Sequence, residues 1–294
     1  MYDFSGLFIQ FLTGLTQAMF IFLVASGLSL IFGTLGVINF AHGSLYMLGA
    51  YFCLTILKFL FRAPTYFWLA MIFAPFGVAV TGAFIEIVLI RKIYKHGLLE
   101  QIIVTYGLIL IFGDLIRAFW GTQDYSMEKP LSLEGSINIL GQPFPVYYFL
   151  VLIITPCIAV LLWYFLTRTK WGWIVNATTS DREMMSALGM NVPRLFTLVF
   201  ICGSWLGGLG GALMAPVVAI NPGMDMEVLI ESFIVIVIGG LGSISGAFIG
   251  SLILGQINAF GILLLPQYAL IFAYVLMAVI LIVKPWGLKG KLTD

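Results

Sequence analysis

Three polar side chains, Asn39, His42 and Ser44, lie close together in an otherwise oily stretch, Gly33–Tyr51, which reads GTLGVINFAHGSLYMLGAY. An amide, an imidazole and a hydroxyl so spaced can do one of two things inside an apolar protein. They can hydrogen-bond backbone groups freed where a helix is interrupted, or they can line a polar path. Gly33, Gly36 and Gly43 weaken any helix through this stretch, so an interruption is expected there. Four ionisable residues also fall in apolar segments: Glu86, Asp114, Arg117 and Glu231. Glu86 is little more than a turn from Arg91, and Asp114 and Arg117 stand at i,i+3, where helix side chains meet. These charges read as self-paired or placed near helix ends rather than as an ion relay.

Enzymatic chemistry finds no support, and no catalytic residue is expected. No Gly-x-x-x-x-Gly-Lys-Ser/Thr phosphate cradle is present, and Ser204 and Ser245 lie near glycines without a base partner. With only His42 and His96, no multi-histidine metal site can form. Cys53, Cys157 and Cys202 are far apart in apolar segments and read as small core residues rather than a disulfide or metal framework. A net charge of +1 without a basic stripe argues against a nucleic-acid partner.

The elements that hold these residues follow from composition. The chain is 61% hydrophobic and 9% charged, with mean hydropathy +1.09, against about a quarter charged in soluble domains. It reads as one all-α polytopic membrane domain over 1–294, in contact with lipid. Candidate spans are 7–32, 40–61, 66–90, 101–120, 146–167, 195–215 and 267–284, the first read as a retained span because no basic n-region precedes it. Region 226–264 is broken by Gly239, Gly240 and Gly242 into a short helix that spans or re-enters and a longer one from about 244. The count is eight or nine. Gly33-x-Leu35-Gly36-x-Ile38 is echoed by Gly239-x-Leu241-Gly242-x-Ile244, which is either a trace of internal duplication or a coincidence of glycine-rich sequence. Gly203, Gly207 and Gly211, and likewise Gly242, Gly246 and Gly250, put small residues on one helical face, for close packing or along a path.

Loop charges set the expected orientation. Arg91, Lys92, Lys95, Arg168, Lys170, Arg182, Arg194, Lys284, Lys289 and Lys291 group on one side, against Lys58, Arg62 and Lys129 on the other. That places the N-terminus and the loop 121–145 outside and the C-terminus in the cytoplasm. Within the cytoplasmic loop 168–194, Ser180 or Asp181 can cap a short helix with Glu183 to Leu188 inside it, and Gly189 can end it. Met184, Met185 and Leu188 can rest on lipid headgroups or form an adaptable apolar knob for a cytoplasmic partner.

Glu183-Met184-Met185-Ser186-Ala187-Leu188-Gly189 has the Glu-to-Gly spacing of the Glu-Ala-Ala-x-x-x-Gly loop of ATP-binding cassette importer permeases. Both alanines are methionine here, and the Ile-x-Leu-Pro ending is absent. With GLSLIFGTLGVINFAHGSLYMLGAY (27–51), IGGLGSISGAFIG (238–250) and the ending Lys284-Pro285-Trp286-Gly287-Leu288, the chain resembles the LivH-type branched-chain amino-acid permeases nearly end to end. The resemblance implies a permease subunit for Leu, Ile or Val in the bacterial inner membrane, with no cofactor of its own. It implies four kinds of neighbour: a second, LivM-like permease, two cytoplasmic ATPases that bind the ATP, an extracytoplasmic amino-acid-binding protein, and lipid. Asp181, Arg182, Glu183, Met184, Met185, Ala187, Leu188 and Gly189 would form its ATPase-coupling loop, and Asn39, His42 and Ser44 would be candidates for the path. Related permeases carry urea, short amides or sugars, and a self-sufficient secondary carrier or channel is the alternative of a different class.

Overall fold

The longest apolar run forms one helix. α1 (Phe4–Leu35) begins where the Asp3 carboxylate accepts from the Phe4 amide at 3.1 Å, and its 32 residues run about 48 Å. Its most apolar window is 89% buried, against 11% for α6 (Val146–Arg168). Such burial makes α1 the central post of the bundle and leaves α6 on the rim. The computed structural model describes residues 3–61, 66–94 and 96–290, so Arg62, Lys95 and Lys291 of the charge pattern lie outside the described residues.

Around α1 stand α2 (His42–Leu54), α3 (Phe67–Ile85), α5 (Leu98–Trp120), α9 (Val192–Met214), α10 (Met224–Gly239), α11 (Ile244–Leu264) and α12 (Ala269–Val283). α2 continues as a π-helical turn over Thr55–Phe61, and α3 passes through another at Glu86–Ile90 into α4 (Arg91–Ile93). Six helices among the described residues are long and apolar enough to cross a bilayer, and the 42–61 segment, α10 and α12 complete the nine apolar segments. The region 226–239 belongs to α10, one continuous helix of 16 residues, about 24 Å, so it covers only part of a bilayer's depth, and Gly240 caps it. α1 packs chiefly on α11 and α9, and α9 also packs on α2 and α3.

Both glycine-rich interruptions form, with a correction to each. Gly33 and Gly239 are not part of the breaks but lie inside the last turns of α1 and α10. A single helical glycine costs about 1 kcal/mol, which close packing offsets. A β-carbon on Gly33 would come within 2.9 Å of the Gly242 Cα, so the two echoed motifs lie against each other. The chain turns instead at Gly36 (φ 67°), Gly240 (φ 104°) and Gly242 (φ 79°), left-handed conformations that side chains resist. The second glycine of each motif thus has the same backbone state.

The glycine rows pack against protein. Gly203 meets Ile31 of α1, Gly207 meets the His42 ring, Gly211 meets the Tyr46 carbonyl, and Gly246 and Gly250 meet the backbone of α10. Cys53 is buried, but Cys157 and Cys202 are exposed on their helices rather than in the core. A thiol behaves as a small hydrophobe and is at home on such an apolar flank.

Two ends of the bundle are distinct. At one, Leu35, Glu86–Tyr94, Arg182, Phe196 and the Gly239–Gly242 turn are joined by contacts described below, with Lys289 donating its amide to the Gly239 carbonyl at 2.9 Å. At the other, Tyr125 and Ile220 exchange backbone hydrogen bonds of 3.0 and 2.8 Å, and a hairpin of β1 (Ser136–Ile139) and β2 (Gln142–Pro145) covers the bundle. The pairing is antiparallel, Ser136 opposite Pro145 and Ile139 opposite Gln142, and the turn at Leu140-Gly141 has positive φ at both residues.

The Gly33–Gly242 contact gives the first prediction. Gly33→Leu should destabilise the bundle by about 1–3 kcal/mol through overpacking. Gly107→Leu, where a β-carbon meets nothing within 4 Å, should not. Thermal unfolding of the two variants in detergent, followed by size-exclusion fluorescence, compares them directly.

Candidate functional site

The three interior polar residues each close a different gap at the head of α2. Asn39 forms an Asx turn, its Oδ1 accepting from the Ala41 amide at 3.1 Å while its carbonyl accepts from the His42 amide at 3.2 Å. Its Nδ2 is buried and has no hydrogen-bond partner. His42 Nε2 lies 3.0 Å from the Val24 carbonyl on α1. A carbonyl only accepts, so that nitrogen carries the proton and Nδ1, buried without a partner, does not. The ring fits between Gly27 and Gly207, where a β-carbon on either would come within 3.0 and 3.1 Å of it. Ser44 donates to Asp225 Oδ2 at 3.0 Å, tying α2 to the first turn of α10.

Asp225 is a residue that the sequence reading missed. Its Oδ1 accepts from the Met226 amide at 3.0 Å, a carboxylate at the positive end of a helix. The signal lay in Asn221-Pro222-Gly223, a turn followed at once by two acids of a first turn, Asp225 and Glu227. Asn39, His42 and Ser44 therefore gather at one junction of α1, α2 and α10, all fully buried. They do not line the large cleft of about 560 Å³ between α1, α6, α7 (Lys170–Ser180) and α11, whose walls include Ser29, Gly33, Trp163, Asn176, Gly242 and Lys289.

The other ionisable groups differ sharply in surroundings. Asp114 and Arg117 pair at 2.9 Å on an exposed face of α5. Glu231 accepts from Asn258 Nδ2 of α11 at 3.1 Å. Glu86 is wholly buried and receives four donors: Arg91 Nε and Nη2 at 3.2 and 3.0 Å, Tyr94 Oη at 2.6 Å and Thr197 Oγ1 at 2.8 Å. Burial first, and then donation to Glu86, hold the Tyr94 hydroxyl well above its ordinary titration range.

The loop 168–194 is a chain of caps. Thr169 Oγ1 accepts from the Gly172 amide at 3.2 Å to open α7 (Lys170–Ser180). Asp181, in extended conformation, ends α7 through its own amide and opens α8 (Arg182–Ala187) by accepting from the Met184 amide at 2.9 Å. Ser180 instead bonds back to the Asn176 carbonyl. Gly189 closes the helix at φ 84°, and Asn191 caps α9 by accepting from Arg194 at 3.1 Å. α8 has two sides. Glu183, Met184, Ala187 and Leu188 are exposed, the last at 71%, while Met185 is half-buried and Arg182 reaches back to the Leu35 carbonyl at 2.6 Å. Removing the cap with Asp181→Ala should cost the helix about 1 kcal/mol and speed exchange of the Met184 amide roughly fivefold. Ser180→Ala should leave that amide unchanged in the same hydrogen-exchange measurement.

No solved structure matches the chain. Residues 10–283 match the family described as branched-chain amino acid transport system / permease component. The chain is 28% identical over 292 residues to the high-affinity branched-chain amino acid transport system permease protein BraD of Pseudomonas aeruginosa, covering 96% of this chain and 95% of that one. It is 27% identical to the corresponding permease LivH of Escherichia coli K12, with 96% and 95% covered. The fructose import permease FrcC of Rhizobium meliloti is 29% identical over 197 residues, 63% of this chain and 52% of that one. A multi-pass apolar bundle matched over nearly its whole length in this way belongs to the permease-component family of branched-chain amino acid transport systems, a transport subunit and not an enzyme.

Proposed function

We propose that this chain is the LivH-like permease subunit of an ATP-binding cassette importer for Leu, Ile and Val. The observation that carries the proposal is α8, a rigidly capped helix whose exposed face ends in Met184 and Leu188 at the basic end of the bundle. An apolar tip on a fixed mount is what a separate cytoplasmic ATPase needs in order to push or pull a membrane bundle. In this reading the loop end and the C-terminus face the cytoplasm, and the N-terminus and the hairpin face outward. A LivM-like permease supplies the other half of the path, two ATPases bind the ATP, and an extracytoplasmic binding protein delivers the amino acid. The chain acts as one domain over 1–294 and holds no cofactor.

Asn39, His42 and Ser44 take a gating role in this scheme. His42 is sealed here by Gly27 and Gly207 and Ser44 by Asp225, and all three would meet the path when the head of α2 parts from α1 and α10. Sugar import is the second reading, favoured by the match to the fructose permease over part of the chain.

Vesicles containing this chain, its candidate ATPase and permease partners and the binding protein should take up labelled leucine only with ATP. Competition by isoleucine and valine but not by fructose is expected; competition by fructose alone would favour the sugar reading. Uptake by the chain alone, driven by an ion gradient, would overturn the importer reading. Changing both Met184 and Leu188 to glutamate should abolish ATP-dependent uptake and co-purification of the ATPase.

A further inference from the structure

Among the described residues, Arg182 is the one residue of α8 whose side chain is bonded to a transmembrane helix. Its Nη2 donates to the Leu35 carbonyl at 2.6 Å, and its guanidinium sits 5.2 Å from the centre of the Phe196 ring on α9. Leu35 is the last residue of α1, where carbonyls have no partner within the helix and carry the negative end of its dipole. Gly36 follows in the left-handed conformation, and a β-carbon there would lie 3.1 Å from Arg182 Nη2. That glycine both turns the chain and makes room for the guanidinium.

The Phe196 ring is itself held. Tyr94 stacks on it edge-to-face at 5.4 Å and donates its hydroxyl to buried Glu86, which also receives Arg91 and Thr197. Arg182 thus bridges two bodies, the end of α1 on one side and the α3–α4–α9 corner on the other. Six residues beyond Gly36 the chain enters α2, whose head carries the Asn39 turn and the His42 bond to Val24.

We infer that Arg182 is the positioning residue through which movement of α8 is passed to the α1–α2 break. This rests on the proposed ATP-driven reading and names the part that does the pulling. The opposite face of α8, Met184 and Leu188, would engage the ATPase, so the short helix works as a two-faced link. A hydrogen bond from a charged donor is strong enough to pull on a freed carbonyl without letting go, and the cation–ring contact keeps its direction.

Two measurements test it. In the complete reconstituted complex, R182Q should lower leucine taken up per ATP hydrolysed by about tenfold, the scale of a lost charged hydrogen bond. R182K, which keeps a charged donor but loses the planar fork, should fall between, as should F196L. Co-purification of the ATPase should persist, because the outer face of α8 is untouched. In nanodiscs containing this chain alone, R182Q should speed amide exchange at Gly36, which donates to the Phe32 carbonyl at 2.8 Å, while the Gly189 amide keeps its wild-type rate. An unchanged uptake-to-ATP ratio in R182Q, or loss of ATPase capture along with it, would overturn the inference. Absence of ATP-driven uptake in the wild-type complex would sink the importer reading instead, and the exchange experiment would still decide whether Arg182 holds the break.

Discussion

A backbone carbonyl or amide set free inside an apolar bundle must find its partner within the protein, because lipid offers none. Much of the architecture follows from that requirement at the two helix interruptions. After α1, Gly36 folds its amide back onto the Phe32 carbonyl, Arg182 takes the Leu35 carbonyl, and Asn39 builds a turn that delivers the chain to α2. After α10, the tail performs the same service. Leu288 and Lys289 donate their amides to the Ile238 and Gly239 carbonyls at 2.8 and 2.9 Å. One interruption is thus completed by the 168–194 loop and the other by the C-terminal tail, and the two meet where Gly33 packs on Gly242.

The same economy governs charge. An exposed pair such as Asp114 and Arg117 contributes little to stability. Glu86 stands at the other extreme: wholly buried, it is tolerable as a carboxylate only because four donors surround it. Those donors come from α4, Tyr94 and α9, so the carboxylate knits three pieces of chain into one corner. Asp225 is buried too, with Ser44, the Met226 amide and the dipole of its own helix for support.

Element type was readable along most of the chain because apolar runs of about twenty residues admit one structure in lipid. Finer detail was readable where it is local: the α8 cap and its closing glycine lie within nine residues of each other, so spacing alone defines them. What escaped is what depends on distant neighbours. Gly33 and Gly239 looked like helix breakers, yet each is the smooth side of a helix pressed on a partner more than two hundred or just seven positions away. Asp225 meets Ser44 across 181 positions, and Arg182 meets Leu35 across 147, contacts that no local spacing announces. The hairpin 136–145 was equally invisible beneath an expectation of helix and loop only.

The π turn at Glu86–Ile90 has its own consequence. Glu86 and Arg91 are five residues apart, a separation that on an α-helix points side chains roughly 140° away from each other. The wider turn brings them onto one face, so it behaves as a single surplus residue absorbed by the helix. Everything downstream, including Arg91 and Tyr94, is dialled round by about 100° relative to an unbroken helix. The corner that holds Phe196 is therefore kept in register by the turn itself: deleting one residue between Glu86 and Arg91 would leave them on one face at i,i+4 spacing, whereas straightening the turn at full length would aim Arg91 and Tyr94 away from their partners.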